Sequence, residues 1–126
     1  MGPGLALALF DTTVPIDVLN GVGQATHDIR RYERRLISIV TWIEVLVGCR
    51  TEVDRALADA LLESFEVVPL TDSIAARMIL VRQQTRLKLP DAVILASAQE
   101  RGCVLVTRNT KDFAPADPGI VIPYRI

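Results

Sequence analysis

Histidine occurs once in this chain, as His27, and the two cysteines, Cys49 and Cys103, belong to no CxxC pair. These shortages argue against a histidine- or cysteine-based metal site, a thioredoxin-like redox motif and a Ser-His-Asp triad. His27 lies in a polar segment, residues 23–35, and reads as a surface residue. A single bridge between the cysteines stays open, although isolated thiols in apolar runs are more often free and buried, as in a reduced intracellular protein. Aromatic residues make up only 5% of the chain and form no strip on which bases would stack, so Trp42 is expected in core or dimer packing. A basic excess is missing too: the formal charge is -1 and the pI about 5.8, so any nucleic-acid binding has to be local.

Long apolar runs are also lacking. The first run, within residues 1–10, has no basic residue before it and stops at Asp11, which makes it a poor signal peptide. The run over 36–48 carries Glu44 and is too short to span a bilayer, so a soluble, cytoplasmic protein with no membrane contact is expected. Gly21-Val22-Gly23 lacks a third glycine and follows no strand, and so supports a dinucleotide site only weakly.

What is present is the composition of an ordinary globular domain. The chain has 126 residues, 50% of them hydrophobic and 23% charged, with no linker or internal repeat, and it reads as one domain over 1–126. Short β-branched or bulky apolar runs predict strands at 5–10, 36–40, 65–68, 103–107 and 119–122. Helical spacing falls between them, with Val53, Leu57, Leu61 and Leu62 in one segment and Ile74, Met78 and Val81 in another. A helix over 89–101 is punctuated by Pro90 and Asp91 in its first turn and by Gly102 after its end. Strand alternating with helix predicts an α/β fold around a parallel sheet.

The junctions of this pattern carry acids. Asp11 follows the first strand, where it would either face a ligand site or cap the helical segment 14–19. Glu44 stands three residues after Thr41, the spacing of a capping box. Asp91 suits the positive end of its helix, and Asn109 and Asp112 would cap a local turn after the fourth strand. Taken singly, each has a structural explanation. Together they place an acid at three strand-to-helix junctions and at one helix start, ends that lie side by side in a parallel sheet, and caps need not be acidic. Carboxylates gathered in one cleft repel one another unless a hard divalent cation neutralises them, and such a site suits phosphoryl chemistry.

The ordered set Leu9-Phe10-Asp11-Thr12-Thr13-Val14 with Ile16, Thr41-x-x-Glu44-Val45-Leu46-x-Gly48, Leu89-Pro90-Asp91-Ala92-x-Ile94-x-Ala96 and Val106-Thr107-Arg108-Asn109-x-x-Asp112-Phe113 resembles the VapC-type PIN-domain toxins of toxin–antitoxin systems. The resemblance covers nearly the whole chain. It implies a three-layer α/β/α fold with a five-stranded parallel sheet of order 3-2-1-4-5, a homodimer, a VapB-type antitoxin partner, and Mg2+- or Mn2+-dependent endoribonuclease activity with one or two ions, leaving 5′-phosphate and 3′-hydroxyl ends. Asp11, Glu44, Asp91 and Asp112 match the family's catalytic and metal-binding acids, and Asn109 stands where the family has aspartate or asparagine. Thr107 supplies a nearby hydroxyl. Thr13 replaces the family's usual asparagine or serine, and Pro15 its usual leucine. The family also uses the helical hairpin over 45–62 as part of the antitoxin groove.

Arg30, Arg31, Arg34 and Arg35, with Tyr32 among them, would grip RNA phosphates or an acidic partner, or else form a solvated helix end; Arg108 is a further contact candidate. Two rivals to the nuclease remain. One is a catalytically weak or inactive PIN module that binds RNA or antitoxin; the other, an aspartyl-phosphate hydrolase, requires a second aspartate where Thr13 stands.

Overall fold

The computed structural model describes residues 5–125. Residues 1–4, the start of the stretch judged a poor signal peptide, lie outside it. Eleven elements follow one another: β1 (Leu5–Phe10), α1 (Thr13–Leu19), α2 (Gly23–Ile29), β2 (Tyr32–Ser38), α3 (Ile39–Val47), α4 (Glu52–Leu62), β3 (Glu66–Val68), α5 (Asp72–Gln84), α6 (Leu89–Glu100), β4 (Val104–Val106) and β5 (Ile120–Val121). The strands form one sheet of order β3-β2-β1-β4-β5, and every pairing is parallel. This is the expected PIN-like α/β fold.

The sheet is covered on both faces, which is why β1 and β4 are apolar without alternation. Leu9, Leu36, Leu105 and Ile120 pack on one side with Ile74, Met78 and Val81 of α5 and Val93, Ile94 and Ala98 of α6. Ala8, Phe10, Ile37 and Val106 pack on the other with Val14, Ala25, Val45, Ala58 and Leu62. Phe10 meets the edges of Tyr32 and Phe65, with ring centroids 5.3 and 5.8 Å apart.

The second strand departs from expectation. It runs from Tyr32 to Ser38 rather than over 36–40, because the charged stretch Glu33-Arg34-Arg35 is extended beside β1, with Leu5 paired to Tyr32. Arg34 is accommodated there by a two-pronged bond to Glu66 on the neighbouring strand, at 3.0 and 2.8 Å. The apolar run therefore continues from strand into helix, and the junction is Ser38, whose hydroxyl caps α3 by accepting from the Val40 amide at 3.1 Å. Thr41 and Glu44 lie inside α3, so they do not form a capping box.

Helix α4 differs as well. Its buried residues are Ala58 and Leu62, whereas Val53 and Leu57 are exposed. Trp42, expected in packing, is 37% exposed on α3. The end of α6 agrees with the sequence: Gly102 adopts φ +65°, a left-handed conformation that glycine takes without strain. His27 is exposed, and both cysteines are free. No helix among the described residues is long and apolar enough to cross a membrane.

Asp28 is a charged defect in this packing. It is buried, its Oδ1 accepts from Arg31 at 3.2 Å, and its Oδ2 has no partner among the described residues. Burial pushes its carboxyl above the ordinary range despite the opposing charge of Arg31. A carboxyl whose folded pKa is raised costs stability as pH climbs from its unfolded value through its folded one, and the full cost persists above. Asp28→Asn is thus expected to raise Tm at neutral pH by about 3 °C, equivalent to about 1 kcal/mol in a domain of this size. The advantage over the native chain should shrink as pH falls through the raised folded value and be gone by about pH 4, the unfolded value. Thermal melts across that range check it, and a pH-independent difference between the two proteins would contradict it.

Candidate active site

Parallel pairing brings the carboxyl ends of β1, β2 and β4 to one edge. The ladder continues one residue beyond β1, since the Asp11 amide donates to the Val106 carbonyl at 2.9 Å. Asp11 therefore leaves the sheet at a fixed height, and it is 3% exposed. It does not cap α1, whose N-cap is Thr12. Instead its Oδ2 accepts from the Thr107 hydroxyl at 2.8 Å and the Thr13 hydroxyl at 3.1 Å. Thr107 is fully buried, and its oxygen also accepts from the Asn109 amide at 3.0 Å.

Thr13, which departs from the family pattern, fills the steadying role all the same. Besides donating to Asp11, its oxygen accepts from the Arg108 amide at 3.3 Å, joining the loops after β1 and β4. Pro15 is likewise tolerated, because it is the third residue of α1, where a helix has no acceptor for the amide that proline lacks.

Glu44 is exposed on α3 and accepts from the Thr12 hydroxyl at 2.8 Å; Thr12 in turn shares a 2.8 Å hydrogen bond with the buried Thr41. Asp91 occupies the first turn of α6. Asp11, Thr13, Glu44, Asp91, Arg108 and Asn109 all line one open cavity of about 300 Å³. Asp112 lines a neighbouring cavity, where Asn109 donates to it at 2.9 Å and accepts from its amide at 3.2 Å, as expected of a local turn cap.

All four acids nonetheless share a field. Burial first, and then the charges of Asp11, Asp112 and Glu44, push the Asp91 carboxyl upward, against the weaker pull of Lys88. Hard oxygen donors whose charges converge on one carboxyl have the chemistry a hard divalent cation satisfies. In the side-chain positions described, however, no group of three or more Asp, Glu, His or Cys residues is gathered tightly enough to enclose a metal ion. The donor set fits Mg2+ or Mn2+ in chemistry, then, without forming a closed cage.

Sequence reasoning missed Asp17 and Tyr124. Asp17, on α1, is buried and receives Arg108 through Nε at 2.7 Å and Nη2 at 3.0 Å, and the Tyr124 hydroxyl donates to it at 2.7 Å. Burial alone would raise the Asp17 carboxyl, but the bonds from Arg108 and Tyr124 and the Arg108 charge outweigh it and hold the carboxyl below its usual range. Burial, and then the bond to Asp17 and its charge, push the Tyr124 hydroxyl upward against the opposing charge of Arg108. A signal existed: Asp17 interrupts the apolar sequence Pro15-Ile16-x-Val18-Leu19.

The arginine cluster is divided. Arg30 caps the end of α2, Arg31 pairs with Asp28, Arg34 with Glu66, and Arg35 lies in β2. These residues stand toward the amino end of β2, opposite the edge that carries the acids. Arg108 is the arginine that lines the acid cavity.

An open α/β sheet with carboxylates converging at its carboxyl edge defines a class of acid-lined α/β domains. Within that class, the PIN domain family profile matches residues 8–117, and the chain belongs to that family. Among solved structures, a chain of a toxin–antitoxin complex from Klebsiella pneumoniae is 42% identical with a TM-score of 0.87, over 94% of this chain and 99% of that one. A chain of VapBC-5 from Mycobacterium tuberculosis, described as a member of the VapBC family of toxin–antitoxin systems, is 26% identical with a TM-score of 0.63, over 94% and 98%. FitAcB from Neisseria gonorrhoeae, at 20% identity and a TM-score of 0.78 over 94% and 99%, shares the fold. The curated proteins offer no match to the chain.

The Thr107 hydroxyl is the pivot of this geometry. Thr107→Val keeps its shape but leaves the Asn109 amide and one Asp11 bond unsatisfied, which is expected to cost about 1–3 kcal/mol. Urea denaturation measures it, and a loss under about 0.5 kcal/mol would show that neither bond matters to stability.

Proposed function

We propose that the chain is a divalent-metal-dependent endoribonuclease and the toxin component of a type II toxin–antitoxin pair, acting to inhibit translation or growth. The observation that carries this is the convergence of the acids: Asp11, Glu44 and Asp91 line one cavity at the carboxyl edge of the sheet, where burial and then the charges of Asp11, Asp112 and Glu44 raise the Asp91 carboxyl. Asp11, Asp91, Glu44 and Asp112 are the residues that would hold Mg2+ or Mn2+, as one ion or two. Bound there, the ion supplies Lewis acidity and charge neutralisation for phosphodiester hydrolysis. Thr107 and Thr13 orient Asp11, Thr12 orients Glu44, Asn109 orients Asp112, and Arg108, its fork held by Asp17, keeps only its remaining guanidinium edge for a substrate phosphate at the cavity rim.

The likeness to a 42% identical chain of a toxin–antitoxin complex supports a VapB-type antitoxin as partner. Exposed apolar side chains support protein partners in general. Ile16, Trp42, Ile43, Val47, Val53 and Leu57 lie on α1, α3 and α4, and this face suits the antitoxin; Leu70, Ile79, Leu80 and Leu89 lie beside and along α5 and α6, and a homodimer would cover apolar surface of this kind. A cytoplasmic setting accords with both partners.

A second proposal, a PIN module that binds RNA or antitoxin without cutting, is favoured by the neutral Asn109 and by the open arrangement of the acids. RNA cleavage with and without Mg2+ separates the two. The nuclease requires cleavage that chelation abolishes and that Asp11→Ala or Asp91→Ala each lowers by about 100-fold or more. Cleavage without metal, or surviving both substitutions, would overturn the mechanism. A folded native protein that binds RNA yet never cuts it would favour the binding module.

A further inference from the structure

Arg108 poses an electrostatic problem. Arg108 lines a cavity with Asp11, Glu44 and Asp91, three carboxylates whose geometry the planar fork of an arginine matches, and its side chain is about a third exposed. A free arginine there would close onto them and neutralise the acids that a divalent cation needs. It does not do so. Its fork is taken by Asp17, at 2.7 and 3.0 Å, a residue that does not line the acid cavity.

Asp17 is well suited to hold it. It is buried, it sits on a helix anchored in the core by Val14, and the Tyr124 hydroxyl fixes its Oδ2 from the C-terminal segment at 2.7 Å. At the other end, the Arg108 backbone is fastened to Thr13, which itself bonds Asp11. The Arg108 main chain is thus tied to the acid site while its charge is drawn away from it.

We infer that Asp17 and Tyr124 are positioning residues that tether Arg108 at the rim of the acid cavity, keeping its guanidinium off the carboxylates so that they stay available to a divalent cation. The inference rests on the proposed cation-holding role of Asp11, Asp91, Glu44 and Asp112. It makes the tether a determinant of metal affinity, exerted from outside the ligand set and only through Arg108.

That dependence gives the test. Mn2+ is titrated into the metal-free full-length protein and its binding followed by electron paramagnetic resonance, for the native chain, Asp17→Asn, Tyr124→Phe, Arg108→Ala and the two doubles with Arg108→Ala. Asp17→Asn is expected to weaken Mn2+ binding about tenfold and Tyr124→Phe about threefold, and both losses should vanish when Arg108 is alanine. Losses of equal size in the Arg108→Ala background would mean that Asp17 and Tyr124 merely support the loop, and would overturn the tether. Unchanged Mn2+ affinity in both single variants would do the same. Tyr124→Phe keeps the cycle decisive should Asp17→Asn fail to fold. A native chain that binds no Mn2+ would remove the cation-holding proposal and the tether with it, whereas native binding with a flat cycle would remove the tether alone.

Discussion

The hydrogen bond from Thr107 to Asp11 joins residues that are 96 positions apart, and the candidate site depends on it. It exists because β1 and β4 are parallel neighbours, with Phe10 opposite Val106, so that the next residue on each strand leaves the sheet at the same level. From this bond the rest of the edge is ordered in turn: Thr107 orders the Asn109 amide, Asn109 orders Asp112, and Thr13 ties Asp11 to the Arg108 backbone. Hydroxyls are apt for this work, because a hydroxyl donates to a carboxylate and still accepts from an amide, without adding charge.

That economy of charge matters at an edge where four acids share a field. Three of them have their carboxylates engaged by neutral donors: Thr107 and Thr13 for Asp11, Thr12 for Glu44, and Asn109 for Asp112. Neutral donors orient a carboxylate while leaving its charge in place. The lone arginine of the cavity is paired with Asp17 instead, an acid outside the set. The site is accordingly rich in oriented negative charge and poor in compensation, a state that a hard cation relieves.

The stability of the domain comes from elsewhere, chiefly the two apolar layers packed on the sheet. The exposed apolar side chains of α3 and α4 are the part of that chemistry left outside the core. Val53 and Leu57 have the spacing of a buried stripe, yet α4 turns them outward and buries Ala58 and Leu62. Periodicity reports that a helix has an apolar face. Whether that face meets the domain's own core or another chain is decided by how the helix is placed.

Much of the fold was legible in the sequence, because apolar run length and helix punctuation are local properties. The first strand, the helix begun by Pro90 and Asp91, and its arrest at Gly102 all follow from neighbours in the chain. The junction at Ser38 was not legible, since one apolar run serves strand and helix alike; nor was the charged start of β2, which is held as a strand by its pairing with β1, with Arg34 matched to Glu66 on the other side. The acids could be named from sequence as a class, because topology alone sends strand ends to one edge. Which hydroxyl holds which carboxylate, that Glu44 answers to Thr12 and not to its own helix end, and that Asp17 and Tyr124 restrain Arg108, were decided by the tertiary structure. Apart from the local bond of Thr13 to Asp11, those contacts span from 32 to 107 positions, and no local preference of the chain encodes a distance of that kind.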